Sequence, residues 1–239
     1  GSVQLFAAEA SGLTYDKVHP RIGVTAKWLW SIYIGLTIII AGLLWLGGMD
    51  VFDSICHSFT TASTGGYSTK QASIEYYNSP FIEYVISVFM TISGVNFSLL
   101  LLFTKGKFRK FFKDTELKWY LISVIAFTVF ISIGLYYTTD MGVEESFRKS
   151  LFQVTSLHTS TGFATTDYML WRPLFWALLI VVMVVGGCAG STSGGIKCIR
   201  MLILTKVARN EFKRIIHPNA VLPVRINKQV APPTIITSV

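Results

Sequence analysis

Three stretches of the chain hold no charged side chain for long enough to cross a membrane: Trp28 to Leu46, Tyr84 to Phe103 and Trp119 to Tyr137. A hydrocarbon core roughly 30 Å thick takes about 20 residues of helix. A fourth apolar stretch, Pro173 to Ile196, is broken by glycines. Helices packed inside a water-soluble domain normally keep a polar stripe facing solvent. With 51% hydrophobic and 14% charged residues and a mean hydropathy of +0.52, the chain is read as an all-α polytopic membrane protein.

The cations give an orientation. Lys17, Arg21 and Lys27 precede the first span. Lys105, Lys107, Arg109, Lys110, Lys113 and Lys118 lie between the second and third, and Lys206, Arg209, Lys213, Arg214, Arg225 and Lys228 follow the fourth. With Lys197 and Arg200 these are 17 of the 21 basic residues, and cytoplasmic loops carry the Lys/Arg excess. Both ends of the segment and the middle loop are therefore expected in the cytoplasm. The net charge of +8 is expected to face anionic membrane lipid, with no nucleic acid as partner.

Enzyme chemistry finds little support. Cys56, Cys188 and Cys198 form no CxxC pair and have no His at metal-ligand spacing, so neither a disulfide framework nor a zinc site is indicated. No G-x-S-x-G elbow or HExxH helix accompanies His57 and His158, which are expected to be structural. Gly190 and Gly195 have the spacing of a phosphate loop, but Ile196 separates Gly195 from Lys197, where such a loop needs Lys directly after Gly. No organic cofactor is expected.

Between the first and second spans, Asp50 to Pro80 is too long for a tight turn and too short and polar to cross again. Val51 to Thr60 fits about three helical turns, with Asp50 or Asp53 at the favourable N-terminal end. Such a helix enters the membrane without leaving on the far side. After the third span, Asp140, Gly142, Glu144 and Glu145 open a second one, running through Phe147, Leu151, Phe152, Val154 and Leu157 to His158-Thr159. Each leads into Ser-Thr-Gly, at Ser63-Thr64-Gly65 and Ser160-Thr161-Gly162, 97 residues apart. Superposing the triplets aligns the blocks as an internal repeat of helix, re-entrant half-helix, extended segment and helix.

Non-helical backbone at membrane depth survives only where protein buries it or where it lines a water-filled cavity. A half-helix entering from outside aims its C-terminal end, about half a negative charge, at the bilayer centre. Extended backbone beyond it presents carbonyl oxygens, the groups that replace an ion's hydration shell in potassium filters. Two matched copies favour a cation path over re-entrant hairpins that only pack.

Thr61 to Thr69, Thr159 to Asp167 and the run Gly186 to Lys197 together resemble the TrkH/KtrB superfamily of potassium uptake proteins, most closely its bacterial TrkH branch. The likeness extends from Gln4-Leu5-Phe6 to His217-Pro218-Asn219-Ala220-Val221. It implies four repeats around one pore, two such protomers forming a homodimer, and a bacterial inner membrane. This chain shows two repeats, resembling the second and third. It also has no initiator Met, and is expected to be a piece of a longer protein rather than a half-size protein whose copies complete the pore. Under the resemblance K+ is the transported ion, held by backbone carbonyls of Ser63, Thr64, Gly65 and Gly66 and of Ser160, Thr161, Gly162 and Phe163. Gly65 and Gly162 would be the filter glycines.

Five glycines between Gly186 and Gly195 cannot sustain a helix at roughly 1 kcal/mol each relative to Ala, so the fourth span is expected to break. The resemblance makes the broken segment an intramembrane gate of Gly186, Gly187, Gly190, Ser191, Thr192, Ser193, Gly194 and Gly195. Lys197 just beyond either gates or snorkels to the cytoplasm. The basic surfaces Lys105 to Lys118 and Lys206 to Arg214 are the implied dock for a TrkA-like nucleotide-binding regulatory subunit. Glu83 and Asp167 are expected at the outer mouth, and Asn96 to hydrogen-bond between helices.

The expected layout is a cytoplasmic connector at 1–27, a first pore repeat at 28–104 and a basic loop at 105–118. A second pore repeat with a broken last helix follows at 119–216, and a connector or tail at 217–239. Two other readings compete: a sodium- or proton-coupled secondary transporter, against which no carboxylate is seen inside a span, and a membrane assembly module whose re-entrant loops conduct nothing.

Overall fold

The computed structural model describes residues 22–216 and, beyond them, 223, 225–227 and 229–230. Gln4-Leu5-Phe6, Lys17, Arg21, His217 to Val221, Lys228 and most of the two connectors lie outside the described residues.

The first helix, α1 (Ile22–Leu46), has 25 residues and a length of about 37 Å. It ends where Gly48 takes a left-handed φ of 98° and Met49 N–H bonds back to Leu44 O at 3.2 Å, a glycine-dependent stop. The Asp50 carboxylate then accepts Phe52 N–H at 3.1 Å and starts α2 (Val51–Ala62). At 12 residues α2 is about 18 Å long, half a membrane core. After a tight 3₁₀ turn, Ser73–Tyr77, the chain continues into α3 (Pro80–Ser93) with proline in its first turn, where no N–H is missed.

The expected continuous span from Tyr84 to Phe103 is instead two helices. α3 stops at Ser93, and α4 (Phe97–Thr104) leaves at 103° to it. Asn96 is the reason: its Oδ1 accepts Ser98 N–H at 2.8 Å and caps α4, so it starts a helix instead of joining two. At Gly94 a side chain is also excluded, since a Cβ would lie 2.3 Å from Tyr120 Oη.

A short basic helix, α5 (Phe108–Lys113), precedes α6 (Thr115–Thr138), which Asp114 caps and which is long and apolar enough to cross a membrane. The second half-helix is α7 (Val143–His158). A 3₁₀ turn, Tyr168–Leu170, leads to α8 (Pro173–Val184), which breaks as expected, and the chain resumes as α9 (Cys198–Ile216). Two two-residue strands, β1 (Arg225–Ile226) and β2 (Gln229–Val230), close a small hairpin.

Three buried apolar clusters hold these elements. Ile40 and Leu44 of α1 meet Ile82, Ile86 and Met90 of α3 and Phe152 of α7. Tyr120 and Val124 of α6 pack with Val95, Leu99, Cys188 and Cys198, gathering both helix breaks around the foot of α6. Ile131 and Leu135 of α6 join Val154 of α7 and Phe175, Leu179 and Val182 of α8. The faces left outside are apolar too, with Ile38, Ile39 and Trp45 on α1 and Ile122, Ile125 and Ile133 on α6 exposed. That is the surface of a protein solvated by lipid.

Candidate functional site

Both half-helices end in the same backbone turn. After α2, Ser63 N–H bonds to Phe59 O, Thr64 N–H to Thr61 O, and Gly65 and Gly66 N–H both to Thr60 O; after α7, Thr159 bonds to Thr155, Ser160 to Leu157, and Thr161 and Gly162 to Ser156. Left-handed φ values fall at Thr64 and Gly66 in one copy and at Ser160 and Gly162 in the other. Each equivalent pair stands 96 residues apart. The offset of 97 drawn from the triplets is therefore one residue out: Gly66, not Gly65, corresponds to Gly162, and Tyr67 to Phe163. Distance from the helix end sets the turn, and Ser and Thr serve interchangeably within it, so the letters slip while the backbone does not.

These turns spend their N–H groups on the helices behind them. Among the described residues, no N–H or O–H donates to the carbonyls of Thr64, Gly65, Gly66, Ser160, Thr161 or Gly162. Two other expected ligands are engaged: Ser63 O accepts the Thr64 hydroxyl at 2.7 Å and Phe163 O the Ser156 hydroxyl at 2.6 Å. The two turns lie against each other at Gly66 and Thr161. Beyond them, Ala164 O accepts Ile74 and Glu75 N–H, and Ala164 N–H donates to Ser73 Oγ at 3.2 Å, which laces the copies together.

Polar side chains brace this arrangement from behind. His57 spans from Asp53 O at 2.7 Å to Ser68 Oγ at 2.9 Å, beside Tyr77 and Phe163. His158 bonds Ser123 Oγ at 2.7 Å, edge-on to Tyr120. Asp53, at the start of α2, receives Tyr77 Oη and Thr69 Oγ1 at 2.7 Å each and lies 3.2 Å from Lys70 Nζ. Hydrogen bonds from Tyr77 and Thr69, with Lys70 adding to them, bring its carboxyl down to about 2 despite its burial.

The acidic residues expected at the outer mouth are largely paired. Glu83 meets Arg148 at 2.7 Å in a buried ion pair, Glu144 shares that Arg148 at 3.0 Å, and Glu145 binds Lys149 at 2.8 Å. Asp167 caps the Tyr168–Leu170 turn.

The glycine-rich loop approaches both turns. Thr64 Oγ1 donates to Thr192 O at 2.9 Å, and Thr192 Oγ1 to Ala62 O at 3.2 Å; a Cβ on Gly194 would stand 3.1 Å from the Ser160 side chain. Its neck is closed by Gly186 N–H to Ile196 O at 2.9 Å and Ile196 N–H to Val184 O at 3.0 Å. At Gly186 and Gly187 a side chain would strike the loop itself, at Gly194 O and Ser193 Oγ. Lys197 Nζ turns back to Ser193 O. The loop also touches the other helix break, through Cys188 N–H to Gly94 O and Phe97 N–H to Gly190 O.

One contact with the loop has no counterpart in the sequence reading: Glu116 Oε1 accepts Ala189 N–H at 2.6 Å. Its sequence signal is slight, an acid within the basic 105–118 run that reads as a solvated helix start. Among the described residues no three His, Cys, Asp or Glu side chains gather to hold a metal ion.

A family model, TrkH, described as a cation transport protein, matches residues 1–239. The Trk system potassium uptake protein TrkH of Escherichia coli strain K12 is 40% identical over 246 residues, spanning 100% of this chain and 50% of that protein. TrkG of the same strain, also named a Trk system potassium uptake protein, is 33% identical over 241 residues, again 100% and 50%. Among solved structures, the crystal structure of the potassium transporter TrkH from Vibrio parahaemolyticus matches with a TM-score of 0.89 at 36% identity, covering 98% of this chain and 51% of that one. The chain thus spans about half the length of the relatives it matches. With two matched half-helix turns over a glycine-rich loop, and a family match along its whole length, the chain belongs to the TrkH family of cation transport proteins.

Proposed function

We propose that the two helix-end turns are half of a potassium filter, and that the chain serves potassium uptake as part of a longer, TrkH-like pore-forming protein. The observation that carries this is the set of unpaired backbone carbonyls at Thr64, Gly65, Gly66, Ser160, Thr161 and Gly162. Thr64 and Thr161 are buried, where a carbonyl without a donor is rare, while Gly65, Ser160 and Gly162 are exposed; a cation stripped of water is a partner that satisfies carbonyls of both kinds. The negative ends of α2 and α7 add to the attraction. Relatives of this chain are named as potassium uptake proteins and a potassium transporter, which supports K+ as the ion.

In this proposal residues 28–104 and 119–216 are the two pore repeats, and residues 186–195 gate the path from below, where Thr192 and Gly194 meet the turns. Lys105 to Lys118 and Lys206 to Arg214 face the cytoplasm from an inner membrane. There they meet anionic lipid and dock a nucleotide-binding regulatory subunit, on a homodimer of the full-length protein. The test is rubidium flux into liposomes holding the full-length parent. Wild type is expected to pass rubidium down its gradient in preference to sodium, and Gly162→Ser, strained at φ 88°, to lose that preference. Uptake only when coupled to a sodium or proton gradient replaces this reading with a secondary transporter; no flux at all leaves an assembly module.

A further inference from the structure

Glu116 lies on the first turn of α6, 5% exposed. A carboxyl group so buried is costly unless hydrogen-bonded, and Ala189 N–H supplies a short bond at 2.6 Å. The N–H of Ile199, on the first turn of α9, stands near the same carboxylate. One side chain thus reaches both the loop and the helix that resumes after it.

The position of Glu116 is itself fixed. Asp114 caps α6 by accepting Leu117 N–H at 2.8 Å. Asn227, in the hairpin turn, donates to Asp114 Oδ2 at 2.8 Å and accepts Thr115 N–H at 2.9 Å. On its opposite side residues 188–190 are held by backbone bonds, from Cys188 to Gly94 and from Phe97 to Gly190, and further along the loop Thr192 donates its hydroxyl to Ser93 O at 3.3 Å and Ala62 O at 3.2 Å. Among the described residues, Glu116 is the one side chain from outside the loop that hydrogen-bonds to residues 188–190.

We propose that Glu116 is a positioning residue that pins residues 188–190 of the glycine-rich loop to the foot of α6. Its effect on transport rests on the gate proposed above; its effect on the loop does not.

Cys188 is fully buried beside Ala189 and carries a free thiol, so it reports the loop directly. In the full-length protein with every other cysteine replaced, including C56S and C198A, a charged methanethiosulfonate reagent is applied from the side of residues 105–118. E116A is expected to raise the labelling rate of Cys188 by about fivefold or more, the shift that loss of one such hydrogen bond gives. E116Q keeps an acceptor and should stay within about twofold of its parent, while E116D, one methylene shorter, falls between. Equal labelling in E116A and its parent overturns the proposal. Labelling of E116Q as fast as E116A overturns it too, because that pattern belongs to lost charge and not to a lost acceptor. Should E116A fail to fold, E116D against E116Q supplies the same contrast. Rubidium flux in the same liposomes keeps the two proposals apart: faster labelling with unchanged flux retains the pin and removes the gate.

Discussion

A methyl group on the Gly66 α-carbon would lie 1.7 Å from the carbonyl oxygen of Thr161. The two repeats therefore touch backbone to backbone, and the residue that permits it is the second glycine of Gly65-Gly66. Gly66→Ala, also strained at φ 67°, is expected to cut rubidium flux in the full-length protein by at least about tenfold, as a misplacement near 1 Å does elsewhere. Gly65→Ala, whose nearest obstacle is the side-chain Ser63 Oγ at 3.2 Å and not backbone, should retain most of it. The reverse ranking restores the offset of 97.

The close approach of Gly94 to Tyr120 gives a packing prediction. Gly94→Ala forces a Cβ to within 2.3 Å of Tyr120 Oη, an overpacking that costs about 1–3 kcal/mol. Adding Tyr120→Phe removes the hydroxyl and should recover part of the lost melting temperature in detergent. The single change leaving the melting temperature untouched sinks the packing account of the bend.

Arg148 and Glu83 tie the second half-helix to the first exit helix. Arg148→Ala strands a buried carboxylate and is expected to cost about 3–5 kcal/mol. Arg148→Met with Glu83→Gln removes both charges and should be closer to wild type in chemical denaturation. If the double variant is as unstable as the single one, the loss comes from packing and not from the stranded charge.

Acid should weaken the outer brace. The Asp53 carboxyl is held at about 2, below its ordinary 3.8, so the stabilisation it brings is present above the ordinary value and fades as pH falls through about 2. Tyr77→Phe deletes the largest contributor. Its melting-temperature deficit is expected to be largest at neutral pH and to shrink between pH 4 and pH 2; a constant deficit argues against an ionised Asp53.

Much of this architecture is legible in the residues, and the failures have physical causes. Charge-free stretches announce α1 and α6 because lipid tolerates little else, and Asp50 marks the start of α2 because it caps it. The glycine cluster foretells the break after Val184, where five weak helix formers act together. A single glycine with apolar neighbours does not, so the bend at Gly94 stays hidden until Asn96 is seen capping α4. The turn register slips by one because hydroxyl residues repeat on both sides of it. Glu116 escapes notice because its burial is created by a loop more than seventy residues away, reached across 73 positions of sequence.

The hydrogen bonds at the neck of the glycine-rich loop, Gly186 to Ile196 and Ile196 to Val184, have a mechanical result. They bring the end of α8 and the start of α9 to nearly one point, like the knot of a noose. The intervening residues form a closed tether, so a rearrangement within it need not move the two rods that bear it. On the gate proposed above, opening would rearrange this tether of glycines and small hydroxyl residues, at little disturbance to the lipid-facing walls.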